Sequence, residues 1–159
     1  MTQRARTPQE YAAGRELILE YAAALGIDLC FQNLASELDH LASVYGPPSG
    51  CLLLAPGGES VAGSDEHFVG CVGVRAFSVA DCEMKRLYVR PSARQGGTGR
   101  ALAAAAVTAG RELGYRRMLL DTLASMSAAR ALYSALGFRE CAPYYDNPLS
   151  DVIYMQLEL

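Results

Sequence analysis

Apolar positions along this chain recur first with a helical period, then with a strand period, and then with the two in alternation. Leu17, Ile18, Tyr21, Ala22 and Leu25 recur at helical spacing. Ahead of them Thr7-Pro8-Gln9-Glu10 supplies a capping Thr, a Pro at the first helical position and a Glu three residues after the cap, and Gly26 can close the helix. Phe31, Leu34, Leu38, Leu41 and Tyr45 form a second stripe, which predicts a second helix ended by Gly46-Pro47-Pro48. Cys51–Ala55 is a short apolar run stopped by Pro56-Gly57-Gly58 and reads as a strand. Ser60 to Glu66 reads as a loop, and two strands follow, His67 to Phe77 and Cys82 to Val89, with a polar turn between them. A glycine-rich loop comes after Pro91. Behind it a helix through Leu102, Ala106, Ala109 and Leu113 is closed by Gly114. Arg117 to Thr122 is a strand, Met126 to Leu136 a helix closed by Gly137, and Phe138 to Ala142 and Val152 to Leu159 are final strands. A short first strand fits Thr2–Arg6.

The order is two helices, three strands, helix, strand, helix, two strands. Hairpin-length connections imply antiparallel neighbours and the strand–helix–strand units imply parallel ones. The expectation is an α+β fold: a mixed, mostly antiparallel sheet of about six to seven strands with helices on both faces. Residues 1–159 read as a single domain, without repeats or a linker.

Composition narrows the classes. With 51% hydrophobic and 19% charged residues the chain is no disordered tail, collagen or coiled coil. No apolar run approaches the ~18 residues that span a bilayer. No apolar segment follows the basic N-terminal residues, so a cytoplasmic protein is expected, with no membrane partner. Net charge is −3 with the basic residues dispersed, which argues against a nucleic-acid partner. The five cysteines, Cys30, Cys51, Cys71, Cys82 and Cys141, show no C-x-x-C pair, so neither a disulfide framework nor a metal site is expected.

The chemistry concentrates after the third long strand, in Arg94-Gln95-Gly96-Gly97-Thr98-Gly99-Arg100. Glycines let the backbone approach a ligand, and a helix N-terminus offers unpaired N–H groups and partial positive charge suited to phosphate. A P-loop fails because no Lys follows these glycines. A dinucleotide fingerprint fits poorly, since Gly97-x-Gly99 is followed by Leu102 where a third glycine belongs. The pattern R-x-x-G-x-G is met by Arg94, Gly97 and Gly99. A tight turn that merely caps the helix stays open beside these readings.

This loop, after Leu87-Tyr88-Val89-Arg90-Pro91, resembles the signature of the GNAT superfamily of N-acetyltransferases. A second hallmark stands in register, Ala129-Arg130-Ala131-Leu132-Tyr133 followed by Gly137-Phe138. Met126 occupies the place where the family often has Asn. The resemblance implies acetyl-CoA as co-substrate, no metal, and a primary amine of a small molecule or peptide as acceptor. It also implies a sheet splayed between the fourth and fifth strands, and it leaves a homodimer open. The pyrophosphate would rest on Arg94 and on the N–H groups of Gln95 to Arg100. The pantetheine arm would lie beside Leu87, Tyr88 and Val89, with Met126, Ala129 and Leu132 across from it. A non-catalytic acyl-CoA-binding module of the same fold is the alternative.

Acetyl transfer to an amine needs a proton acceptor, an oxyanion donor and a proton donor for the leaving thiolate. By the resemblance Tyr133 is the general acid; otherwise it ends a helical core stripe. Glu83 is the candidate general base, alternating with Lys85 and Leu87 onto one strand face, or else an ion-paired carboxylate. His40 and His67 read as surface polar residues. Acceptor contacts are expected from Phe31, Gln32 and Tyr45 on the second helix and from Tyr144 and Tyr145 in the last loop. Asp121, which ends the fifth strand when the short Thr2–Arg6 is counted, orients the acceptor or caps a turn.

Overall fold

The computed structural model describes residues 1–29, 33–58 and 68–159. Strand β1 (Gln3–Arg4) leads into α1 (Pro8–Leu25), whose Thr7 and Glu10 close the expected capping box, with Gly26 left-handed at the far end. Then come α2 (Leu34–Asp39), α3 (Leu41–Val44), β2 (Cys51–Pro56), β3 (Phe68–Ala76) and β4 (Asp81–Val89). The chain finishes with α4 (Thr98–Glu112), β5 (Arg117–Leu123), α5 (Ser127–Ala135), β6 (Arg139–Cys141) and β7 (Val152–Glu158). No helix of the described residues is long and apolar enough to cross a membrane.

The strands form one seven-stranded sheet in the order β1-β2-β3-β4-β5-β7-β6. Only β4 and β5 pair in parallel. Their shared ladder is short, joining Asp81, Cys82 and Glu83 to Arg117, Met118 and Leu119. Beyond it β4 stays with β3 as far as Val89, while β5 stays with β7 as far as Leu123, so a wedge opens between the two strands.

Helices cover both faces. On one, α4 and α5 lay Leu102, Ala106 and Tyr133 over Val72, Met84 and Leu120. On the other, α1 to α3 lay Leu17, Ile18 and Tyr45 over Leu52, Leu54 and Cys71. Burial of these side chains supplies the main driving force for the fold, about 1.5–3 kcal/mol for each large apolar group removed from water.

Two local expectations are corrected. The predicted second helix is broken at His40, whose backbone (φ −124°, ψ 31°) leaves the helical region. His40 Nδ1 lies 3.0 Å from the Ser36 carbonyl, so the side chain competes for the ladder there. The even alternation expected for Glu83, Lys85 and Leu87 is broken as well. Cys71 pairs with Tyr88 and Gly73 with Lys85, so Val72 alone faces Arg86 and Leu87. This is a β-bulge, and Arg86 sits in it at φ +61°. Leu87 is thereby turned to the α4 side, and Glu83 and Lys85 remain on the α1 side. The bulge begins just past the last β4–β5 pair, and the added twist carries β4 away from β5.

Candidate active site

The wedge continues into a cleft that runs from the glycine loop to the far end of β5. Its outer part is lined by Tyr21, Leu87, Tyr88, Val89, Arg94 and Met126. Its inner part shares Tyr21, Leu87, Met126 and Ala129, and continues to Lys85, Asp121, Tyr133 and Asn147.

At the outer end the loop is built for close approach. Gln95 (φ +72°) and Gly97 (φ +79°) are left-handed, and Gly97 is the N-cap of α4. The first helical bond runs from the Ala101 N–H to the Gly97 carbonyl, and no side chain caps the helix. The N–H groups of Gly97, Thr98, Gly99 and Arg100 thus have no helical partner, and the helix dipole adds partial positive charge at the same place. A Cβ built on Gly96 or Gly97 meets nothing within 4 Å, so the loop stands open. Arg94 donates to the Val89 carbonyl (2.9 Å) and its guanidinium lies 6.0 Å from the Tyr88 ring centroid. Free N–H groups, a helix N-terminus and a nearby arginine form a donor set suited to a pyrophosphate.

Across the wedge, Met126 and Ala129 of the α5 start line both parts of the cleft. Met126 stands at the N-cap of α5 without a side-chain cap bond, and Thr122 Oγ1 lies 3.8 Å from its sulfur. Leu132 does not line the cleft as expected. Half-buried on α5, it packs instead against the α4-side core.

Tyr133 is 8% exposed, lines the inner cleft and packs edge-on to Phe138. Among the described residues its hydroxyl has no hydrogen-bond partner. Burial holds the phenol well above the ordinary phenol range, so it stays protonated.

The polar inner end is a connected network. Lys85 Nζ donates to Asp121 Oδ1 (3.0 Å) and lies 3.8 Å from Glu83 Oε2. Tyr145 donates to Asp121 Oδ2 (2.5 Å), and Asn147 Nδ2 donates to the Tyr145 oxygen (2.8 Å). Burial alone would raise the Asp121 carboxyl. The Lys85 charge and the Tyr145 and Lys85 hydrogen bonds outweigh burial and hold it below the usual range. Behind this layer Arg86 makes a bidentate pair with Glu37 (2.9 and 2.8 Å), and Tyr45 donates to the same carboxylate (2.7 Å).

Several expected residues therefore fall elsewhere. Glu83 is 2% exposed and lies behind the cleft wall, where it accepts from Arg75 Nε (2.9 Å) and the Tyr144 hydroxyl (2.6 Å). It does not face the cleft as the expected base; its strand neighbour Lys85 and the facing Asp121 do. Tyr45 is fully buried with its hydroxyl spent on Glu37, and so offers no acceptor contact. Tyr144 and Tyr145 turn their hydroxyls inward to Glu83 and Asp121; from that loop Asn147 and Leu149 line the cleft instead. Phe31, Gln32 and His67 lie outside the described residues. Lys85 and Tyr21 were missed as cleft residues, whereas Asn147 belongs to the last loop, from which acceptor contacts were expected. For Lys85 the available signal was an isolated lysine in a strand otherwise destined for burial.

The chain is similar to known proteins in sequence and in fold. The model of the acetyltransferase (GNAT) family matches residues 17–138. An uncharacterized N-acetyltransferase of Schizosaccharomyces pombe is 41% identical over 157 residues, covering 97% of this chain and 91% of its own. Among solved structures, an acetyltransferase from Streptococcus agalactiae superposes with a TM-score of 0.76 at 17% identity, over 100% of this chain and 98% of that one. A Bacillus subtilis acetyltransferase in complex with CoA gives 0.68 at 18% identity, over 99% and 97%.

Proposed function

The chain belongs to the GNAT acetyltransferase family, and from that premise we propose that it transfers an acetyl group from acetyl-CoA to the primary amine of a small molecule or peptide. The observation that carries this reading is the continuity of the cleft from the glycine loop to Tyr133 and Asp121. The Bacillus subtilis relative in complex with CoA supports the choice of donor.

The residues fit such a donor. The loop N–H groups of Gln95 to Arg100 hold the pyrophosphate, with Arg94 beside them. The stretch of β4 past Glu83, which has no β5 partner, offers main-chain groups at Leu87 and Val89 to the pantetheine arm. Bound there, acetyl-CoA supplies an activated acetyl carbon near the β4 bulge. A main-chain N–H of that segment is the proposed donor to the developing oxyanion.

In the overall reaction an amine nitrogen–carbon bond forms and the carbon–sulfur bond breaks. The amine gives up a proton, which leaves to solvent, and the sulfur gains one. Tyr133 is the proposed donor to that sulfur and is reprotonated from solvent. Its protonated hydroxyl, without a hydrogen-bond partner among the described residues, supports this role. Asp121 accepts a hydrogen bond from the incoming amine and orients its lone pair.

A test is direct. Acetyl-CoA at a hundredfold excess over its Kd should stabilise the fold by about 2.7 kcal/mol. Amines from a panel should then release CoA thiol. A protein whose melting temperature ignores acetyl-CoA, and which releases no thiol with any amine, would overturn the reading.

A further inference from the structure

The inner end of the cleft also bears on what the acceptor looks like. We propose that the acceptor is a primary monoamine with an apolar body, docked by its nitrogen on Asp121, with that body lying on Ile27, Leu29, Leu149 and Val152. This rests on the acetyltransferase reading above.

Three of the described residues that line the inner cleft carry formal charge: Lys85, Arg86 and Asp121. Both cations are already matched. Lys85 has Asp121 at 3.0 Å and Glu83 at 3.8 Å, and Arg86 has the two oxygens of Glu37. Asp121 is different. A carboxylate has about four acceptor positions, and Lys85 and Tyr145 take one on each oxygen. The capacity left over, on a residue that lines the cleft, suits a hydrogen-bond donor, and an amine supplies one.

Another part of the lining is apolar. Ile27 and Leu29 follow the end of α1, while Leu149 precedes β7 and Val152 begins it. These four line the inner cleft and are absent from the outer part, so they belong to the acceptor end. A second ammonium on the acceptor would lie against this wall with no carboxylate among the described lining residues, and an unpaired buried charge is strongly disfavoured. An α-carboxylate beside the amine would sit against Asp121, with both neighbouring cations already paired. An uncharged apolar body leaves no group unmatched.

The matched set pentylamine, 1,5-diaminopentane and norleucine tests this, since the last two add one ammonium or one carboxylate to the first. CoA thiol release should give pentylamine the highest kcat/KM, by about tenfold or more over either partner. Leu149→Asp places a carboxylate in the apolar wall at a half-buried loop position. The main-chain N–H of that position donates to Asn147 Oδ1, a bond that the substitution keeps. That variant should shift the ratio towards the diamine by about tenfold. Acetyl-CoA melting shifts on both proteins show that the donor site is intact.

A wild-type protein that uses the diamine or norleucine as well as pentylamine overturns the inference, as does an unchanged ratio in the Leu149→Asp variant. In those cases the acetyl-CoA shift persists and the acetyltransferase reading stands. A protein with no acetyl-CoA shift removes the reading, and the inference with it.

Discussion

Tyr133 separates binding from chemistry more cleanly than any other side chain in the cleft. Tyr133→Phe keeps the ring against Phe138 and removes one hydroxyl that has no partner among the described residues. Acetyl-CoA affinity should hold while turnover falls on the order of 10²-fold or more, the range usual for a lost general acid. Equal losses in affinity and turnover, measured on one preparation, would assign the phenol to packing. Because burial raises this phenol, its ionisation imposes no falling limb on the rate below about pH 10, and wild-type and Phe profiles should run parallel there. Glu37 makes a different prediction. It is 4% exposed, and it neutralises Arg86 in the bulge. Glu37→Gln leaves a buried guanidinium without its counter-charge and should cost about 3–5 kcal/mol in denaturant unfolding. A loss below about 1 kcal/mol would mean that solvent reaches Arg86 and that the bulge is held by other contacts.

The glycine loop and the β4 bulge do the positioning, and they differ in how far the sequence disclosed them. The loop was legible because its function needs residue types that read locally: glycines, a flanking arginine and a helix start. Gly97→Glu should abolish the acetyl-CoA melting shift, since it places a side chain at φ +79° and a negative charge in the anion site. A folded variant with an unchanged shift would move the donor site away from this loop. The bulge was not legible. Arg86 takes φ +61° because Glu37, 49 residues earlier in the chain, holds its guanidinium, and a periodicity count cannot see that pairing. The alternation of Glu83 with Leu87 failed for this reason, whereas Glu83 is held behind the cleft wall by Arg75 and Tyr144. Gly73, which pairs with Lys85 beside the bulge, was also silent in sequence. A Cβ there would lie 2.4 Å from the Tyr45 ring, which is fully buried. Gly73→Ala should therefore destabilise by about 1–3 kcal/mol, measured by urea unfolding. A neutral result would show that the Tyr45 ring can retreat.

The mixed, mostly antiparallel sheet with helices on both faces, and the splay between β4 and β5, agree with what the element pattern and the family resemblance implied. What stayed hidden is the polar network that joins Glu37, Arg86, Arg75, Glu83, Lys85 and Asp121 across three strands and a helix. Its members are far apart in sequence, and each looks like an ordinary surface charge until the fold buries it. The network gives the protein a pH signature. For Glu37 burial opposes ionisation, but the Arg86 hydrogen bonds and charge prevail and its folded pKa lies below the ordinary value. Asp121 is lowered in the same sense, with Lys85 the main opponent of burial. Groups lowered on folding stabilise the native state above their unfolded values, about 4.3 for Glu and 3.9 for Asp, and that stability is lost as pH falls through the folded values. The melting temperature should thus be flat from pH 7 to pH 5 and drop below about pH 4, and the drop should shrink in Glu37→Gln. A wild-type melting temperature that stays level to pH 3 would remove these two carboxylates from the stability of the fold. The central claim is that the cleft from the glycine loop to Asp121 carries acetyl from CoA to an amine. It is tested most directly by incubating wild-type and Gly97→Glu protein with ¹³C-acetyl-CoA and pentylamine, and following the label by mass spectrometry. The wild type should yield labelled N-pentylacetamide in step with free CoA thiol, and the folded Gly97→Glu protein should yield neither. Labelled amide formed equally by both proteins, or thiol released with no label on nitrogen, would contradict it.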